Sequence, residues 1–428
     1  MKAFIDLIEN KLAGPMTVLA NQRHLRAIRD GIIATLPLII VGSFFLIAGN
    51  PPLPQGWSIT KFLVENAPKI VLPFRMSMSI MTLYATFGIG YSLAKSYDLD
   101  GLSGGILATL AFLLTFTPVS VPADLDAGVS GFVLAMGNLG GSGMFVGIIT
   151  SLLAVEFFRL SDKSGFKISM PEGVPPSVSR SFEALVPTAV IMLFFGGLTY
   201  WVGFNWHTVV SNFMAPFVKA TDSLPSVLFI SFLNSFFWVF GIHGSSIVGN
   251  LARPIWQVLL DGNAQALLEG VSASNLPHIA PEPFFQWFVY IGGSGATIGL
   301  AICMVLFSKS AYSKSLGKAV IGPSLFNINE PVIFGAPIVL NPILMIPFVV
   351  APMVLSAIAW FAVSLNFVNK IQVIAPWTLP GPIGAFIATG GDFRAAILNI
   401  VLVIVSVLIF YPFFKSYDKG LLEEELNK

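Results

Sequence analysis

From Pro331 to Asn369 no residue carries a formal charge, and from Ser223 to Ala252 there is again none. Uncharged, largely apolar runs of this kind exceed the roughly 20 residues that a helix needs to cross a bilayer. In lipid, every backbone N–H and C=O must find its partner within the protein, so such a chain folds as helices packed on helices. Composition agrees. Hydrophobic residues make up 55% of the 428 and charged residues 11%, well under the roughly 25% charged content of soluble domains, and mean hydropathy is +0.81. The 39 Gly and 29 Pro are many for simple rods, which points to broken helices. The expected fold is an all-α polytopic membrane protein with about ten transmembrane helices, re-entrant hairpins and interfacial amphipathic helices.

The net charge of +1 comes without the basic block that would neutralise phosphates, which excludes a nucleic-acid surface. Cys303, the single cysteine, lies in the apolar run GLAICMVLF. It reads as a small buried hydrophobe and leaves neither a disulfide framework nor a cysteine metal set. No Walker loop, dinucleotide fingerprint or HExxH occurs, so neither cofactor nor metal is expected.

Lys2, Lys11, Arg23, Arg26 and Arg29 precede the first apolar run, which places the N-terminus in the cytoplasm by the positive-inside rule. LRAIRDGIIA suggests a surface helix leading into a retained span over about Gly31 to Gly49. Further spans are predicted at about Met76 to Ala94, Leu102 to Val121, Gly131 to Phe158 and Phe182 to Phe204. Asp124 and Asp126 mark an outside loop, and Arg159, Lys163, Lys167 and Arg180 a cytoplasmic one. NWHTVVSNFMAPFVKATDSLP has the spacing of an interfacial helix, and a division between two halves, 1–222 and 223–428, falls at its end. In the second half, spans are predicted at about Ser226 to Val248, Phe284 to Phe307, Ile338 to Leu365 and Ala395 to Phe414. Lys309, Lys314 and Lys318 conflict with simple alternation, so one crossing is hidden, either near Trp256 to Leu268 or near Ser324 to Gly335. Ala375 to Gly391 is dense in Pro and Gly and reads as a re-entrant hairpin. The lysine-bearing tail ends in the cytoplasm.

The stretch NINEPVIFGAPIVLN, Asn327 to Asn341, holds one carboxylate, Glu330, among amides and prolines. Intramembrane acids are expensive and normally face a cavity at a substrate or ion site, and broken helices are where transporters build such sites. The other reading is a cap on the following helix. His243 lies in FWVFGIHGSS between Gly241 and Gly244, which permit close backbone approach of a ligand; a core histidine bonded to a carbonyl would look the same. His24, His207 and His278 read as surface or interfacial. Trp238, Trp287, Trp360 and Trp377 are candidate faces for a pyranose, Trp377 first because it lies in the broken APWTLPGP segment, with membrane-interface anchoring as the plainer role. MGNLGGSGMF, around Asn138, is either a close-packing surface or a polar notch facing substrate.

NINEPVIFGAPIVLNP and FWVFGIHGSS, in this order and spacing, resemble the enzyme IIC component of the phosphoenolpyruvate-dependent sugar phosphotransferase system, in its lactose/cellobiose/N,N'-diacetylchitobiose class. NEPVIFG is the specific part of the likeness; GIHG alone would be weak. The resemblance implies a homodimer whose first half forms the dimer contact. The second half binds a β-linked disaccharide, moves it inward and presents it for phosphorylation. Glu330 and His243 fall on the family's glutamate and histidine at the sugar, with the identity of the base left open; Trp377, Trp238, Asn329, Asn327, Asn138 and Gly244 are the expected substrate-binding residues. The phosphocysteine must come from a separate IIB protein, charged by IIA, because Cys303 lies mid-span. Ion-coupled symport, with Glu330 as the coupling site, is the alternative from the residues alone; an intramembrane enzyme lacks paired acids or metal ligands.

Overall fold

The computed structural model describes residues 22–427 apart from positions 52, 54, 55, 123–130, 169, 172, 173 and 340. Lys2 and Lys11 lie outside the described residues, as do Asp124 and Asp126, while the predicted LRAIRDGIIA entry is helical, with Ala27, Ile28, Gly31 and Ile32 buried. The described chain is helical, with one two-stranded hairpin. It divides into two compact units, Asn21–Gly42 with Leu72–Phe217, and Ser43–Val71 with Val218–Lys428.

The first unit is built on α1 (Arg23–Ala34), the start of α2 (Leu36–Gly49), α3 (Met81–Ser96), α4 (Gly101–Leu113) and α5 (Met144–Ser164). Small residues let these helices touch backbone to backbone, the means by which helices associate where lipid offers no hydrophobic drive. A Cβ on Gly88 would stand 2.9 Å from Gly31 Cα, and one on Gly104 2.7 Å from the Gly90 carbonyl oxygen. Asp100 caps α4, accepting from Ser103 N at 2.8 Å and Ser103 Oγ at 2.7 Å. Burial pushes its carboxyl up, but those two bonds and the charges of Arg180 and Lys95 outweigh burial and hold it below the usual carboxylate range. Glu156 of α5 accepts from Tyr97 and from Arg159 at 2.8 Å and faces His24 at 3.1 Å, tying the neighbouring ends of α1, α3 and α5 together.

Several predicted spans are shorter than the apolar runs that suggested them. The run Leu102 to Val121 is helical only to Leu113, and Val119–Val121 instead pairs antiparallel with Gly131–Val133, β1 with β2. The run that began at Gly131 therefore opens as a strand, and its helix starts at Met144. α6 (Leu185–Ile191) continues as a π-helix over Met192–Trp201 and turns by 87° into α7 (Trp206–Thr221), the predicted amphipathic element. His207 corrects the surface reading. It is buried, its Nε2 is 3.1 Å from Thr115 Oγ1, and its ring lies 4.6 Å from that of Phe116, because the bend turns α7's first residues into the Phe112, Phe195 and Trp206 core.

The second unit carries α8 (Leu224–Val239), α9 (Gly244–Leu268), α10 (Glu282–Phe288), α11 (Ile298–Phe307), α12 (Ala311–Leu325), α13 (Glu330–Gly335), α14 (Met345–Ser364), α15 (Gly381–Ala388) and α16 (Phe393–Leu426). Three corrections matter for function. The Ser226 to Val248 run breaks after Val239 at Gly241, whose φ is +76°, so His243 starts a new helix instead of lying within a span. The Phe284 to Phe307 run is interrupted by Gly292, Gly293 and Gly295, all with positive φ. The Pro/Gly-rich Ala375 to Gly391 stretch holds the short α15, where a Cβ on Gly384 would meet the ring of Trp287, so Trp287 is core. Cys303 is buried, as expected. His278 is half-buried, 3.6 Å from Asp222, whose carbonyl also accepts from Trp360 Nε1 at 3.1 Å.

Among the described residues, four helices are long and apolar enough to cross a membrane: Arg23–Gly49, Gly141–Ser164, Met345–Ser364 and Phe393–Leu426. Two bent pairs, at Ala67–Ser96 and Leu185–Thr221, raise this to six when each is taken as one span. Shorter apolar helices are Gly101–Leu113, Leu224–Val239 and Ser294–Phe307.

Candidate functional site

The site is assembled by helix starts meeting one glycine-rich loop. His243 is the N-cap of α9: its Nδ1 accepts from Ser246 N at 3.2 Å and lies 3.0 Å from Ser246 Oγ. A backbone N–H can only donate, so Nδ1 is unprotonated, and the proton of the neutral ring sits on Nε2. The imidazole is exposed, and Nε2 has no hydrogen-bond partner among the described residues. Trp238 packs beside it, ring centroids 4.5 Å apart at 48°, and is itself 4% exposed. Gly244 is buried because the start of α9 runs against α8, and a Cβ there would collide with the carbonyl of Asn234. The next residue, Ser245, receives Asn234 Nδ2 at 3.0 Å.

Ser245 also reaches Ser294, Oγ to Oγ 2.9 Å. Ser294 sits in the loop Gly292–Ala296, and its carbonyl accepts from Asn329 Nδ2 at 2.7 Å. One residue on is Glu330, the first residue of α13, exposed and with no hydrogen bond or ion pair among the described residues. It is therefore not held as a helix cap. The far end of α13 is fixed by Tyr312, which donates to the Gly335 carbonyl at 2.7 Å. His243 and Glu330 are thus both tied, through Ser245 and Asn329, to the same serine.

Asn327 closes the frame. Its Oδ1 accepts from Gly292 N at 3.0 Å, and its Nδ2 donates to the carbonyls of Trp377 at 2.8 Å and Leu379 at 3.0 Å. Both amide hydrogens are committed to backbone, so Asn327, with φ of +61°, braces three segments against one another. Asn329 is likewise buried with its amide on Ser294. Trp377, whose backbone Asn327 holds, exposes 55% of its surface. Asn138 lies in the other compact unit, at the end of a short 3-10 turn where a Cβ on Gly143 would collide with its carbonyl, so there the glycines serve close packing.

The loop around Ser294 escaped the sequence reading. Its signal was present, since GGSGA interrupts an otherwise apolar stretch, but glycines there also fit simple helix packing.

The sequence profile of the family described as "Phosphotransferase system, EIIC" matches residues 29–352. The chain is similar to the lichenan permease IIC component of Bacillus subtilis, at 39% identity over 98% of this chain and 95% of that one. It is similar to the cellobiose-specific EIIC component of Geobacillus stearothermophilus, at 38% identity over 99% of this chain and 96% of the other. A crystal structure of the transporter ChbC, the IIC component from the N,N'-diacetylchitobiose-specific phosphotransferase system, superposes with a TM-score of 0.89 at 34% identity, covering 99% of this chain and all of that one. The chain is therefore a multi-pass membrane protein belonging to the EIIC family of the phosphotransferase system, in its lactose/cellobiose/N,N'-diacetylchitobiose class.

Proposed function

We propose that this chain is a group-translocating permease for a β-linked disaccharide of the cellobiose or diacetylchitobiose type. It crosses the bacterial plasma membrane about ten times with both termini in the cytoplasm, works as a homodimer through its N-terminal half, 1–222, and carries its sugar site in 223–428. The observation that carries the reading is the common anchoring of His243 and Glu330 on Ser294: a donor and a carboxylate, both unpartnered, held by one rigid frame.

Chemistry assigns their parts. Phosphoryl transfer to a sugar hydroxyl needs positioning and a proton acceptor more than covalent help. Nε2–H of His243 can donate to the acceptor hydroxyl's oxygen but has no lone pair for its proton. Glu330 therefore takes that proton while the hydroxyl attacks the phosphorus of the phosphocysteine on a separate IIB protein, itself charged by IIA. Trp377, largely exposed, offers its ring face to the sugar's C–H surface, whereas Trp238, expected from the sequence to do the same, is buried and instead backs the His243 ring. As the O–P bond forms the S–P bond breaks and returns the IIB cysteine as a thiolate. Once Glu330 has passed its proton on to water or to that thiolate, its restored carboxylate repels the anionic sugar phosphate, which is released inward. Ion-coupled symport is the alternative, since an unpartnered carboxylate would also suit a coupling cation.

Glu330→Gln tests this assignment. It keeps size and hydrogen bonding but removes the base, so phosphorylation in the presence of phosphorylated IIB should fall by at least two orders of magnitude, while sugar still binds. Wild-type phosphorylation in that variant would sink the assignment.

A further inference from the structure

Two neighbouring helices of the second unit leave the apolar zone at the same level. α16 carries no charge from Ala395 to Phe414 and then meets Lys415; that run spans roughly 30 Å at 1.5 Å per residue, the thickness of a bilayer's hydrocarbon core. α11 ends at Phe307, and the next charge is Lys309. The rings of Phe307 and Tyr411 meet edge to face, centroids 5.1 Å apart, so the two helices pass this boundary together. Both rings are exposed, Phe307 by 45% and Tyr411 by 39%, as aromatic side chains are where a membrane protein meets the headgroup layer.

Between the two ends lies a groove of about 310 Å³. Phe307, Tyr411 and Leu422 give it an apolar lining, and Lys309, Lys415 and Lys419, all exposed, give it positive charge. One acid, Asp418, also lines it, but its carboxylate is buried and turned toward α12, accepting from Lys309 N at 2.6 Å, Ser310 N at 3.3 Å and Ser310 Oγ at 2.7 Å. Of the three lysines only Lys419 makes an ion pair among the described residues, with Glu423 at 3.6 Å. The groove therefore holds cationic charge that its own acids do not cancel. On the bilayer side of it, Ile404 and Leu408 precede Tyr411 at intervals of four and three residues, which puts them on one face of α16. They are 54% and 67% exposed, an apolar track leading from the groove into the hydrocarbon zone.

Charge and position together choose the ligand. A soluble acidic partner would reach the lysines but not the track that continues into the bilayer, and a free phosphate would leave the apolar lining uncovered. We propose that the groove between the ends of α11 and α16 binds an anionic phospholipid. Its phosphate lies among Lys309, Lys415 and Lys419, the kind of basic pocket between membrane helices that holds such headgroups, and its acyl chains follow Tyr411, Leu408 and Ile404. The lysine stems can lie along the apolar lining while their ammonium groups stay in the headgroup layer. A lipid held by Lys309 and Lys415 pins the connection between α11 and α12 to α16.

The test is native mass spectrometry of the purified full chain in detergent, titrated with phosphatidylglycerol or with phosphatidylcholine of the same acyl chains. A lysine at the membrane surface contributes about fivefold to affinity for an anionic lipid, so two unpaired lysines should make phosphatidylglycerol bind about twenty-fivefold more tightly than phosphatidylcholine. Lys309→Gln with Lys415→Gln should erase that preference and leave phosphatidylcholine binding unchanged, which also shows that the variant is folded. Lys314→Gln with Lys318→Gln, which removes two exposed lysines of α12 outside the groove, should keep it. Equal loss in the two double variants would mean diffuse attraction to basic surface and overturns the site, as does a preference that survives in the Lys309 and Lys415 variant. Glycerol phosphate, the soluble headgroup, should not displace the lipid; displacement marks a site for free phosphate and overturns the lipid assignment. Loss of phosphorylation by IIB with lipid preference intact would give the lysines to the protein partner instead. If the Lys309 and Lys415 double variant fails to fold, the fivefold loss expected of Lys415→Gln alone decides.

Discussion

Asn327→Asp separates bracing from sugar binding at the residue that closes the site. The carboxylate can still accept from Gly292 N, but it cannot donate to the carbonyls of Trp377 and Leu379, now 2.8 and 3.0 Å from Nδ2. Two hydrogen bonds are lost at about 1 kcal/mol each, and the two carbonyls face a negative charge in place of a donor, at a further 1–3 kcal/mol. The total is roughly 3–5 kcal/mol. At a few degrees per kcal/mol for a unit of this size, Tm should fall by about 10 °C, measured by tryptophan fluorescence in detergent. Asn327→Ala should fall comparably, since it loses all three bonds and puts Ala at a φ of +61°. A variant with wild-type Tm and only weakened sugar affinity would refute the bracing role.

Other outcomes follow from the same geometry. His243→Gln, which keeps an N–H donor, should retain about tenfold more phosphorylation activity than His243→Ala in steady-state assays; equal loss in the two would contradict the donor assignment. Gly244→Ala should cost roughly 2 kcal/mol or more, because the added methyl meets the Asn234 carbonyl, and thermal melts should show it. Asp100→Ala removes the α4 cap at about 1 kcal/mol near neutral pH. Because the folded carboxyl titrates below its ordinary value, that stability is present above about pH 4 and is lost as pH falls through the folded pKa. Melts of wild type and variant should therefore converge as pH falls below the ordinary carboxylate range, and a gap that stays constant would count against the cap.

The class of fold was legible because apolar run length is a strong signal, and Glu330, His243 and Trp238 stood out as polar or aromatic groups in runs that offer them little company. Helix limits were less legible. Apolar composition does not distinguish a span from the β1–β2 hairpin or from the loop at Gly292–Gly295, where positive φ breaks the helix. The two asparagines looked like sugar ligands beside Glu330; what their amides do depends on carbonyls far away in sequence, those of Trp377 and Leu379 for Asn327 and that of Ser294 for Asn329. The helix α9 was hidden for the opposite reason: residues Asn250 to Glu282 simply looked too polar for a clean span, and only the burial of Asn250 and Gln257 shows that the polarity faces inward.

Uptake by sealed vesicles tests the central claim most directly. Right-side-out vesicles carrying this chain are given radiolabelled cellobiose, diacetylchitobiose and lactose outside, with phosphoenolpyruvate, the general phosphotransfer proteins, IIA and IIB sealed inside on the cytoplasmic face. The account predicts that one of the β-linked sugars is converted to its phosphate ester only with the complete donor chain, at a rate unchanged when ion gradients are collapsed and abolished by Glu330→Gln. Unmodified sugar accumulating under a proton or sodium gradient, without the donor chain, would contradict it and make Glu330 a coupling-ion site.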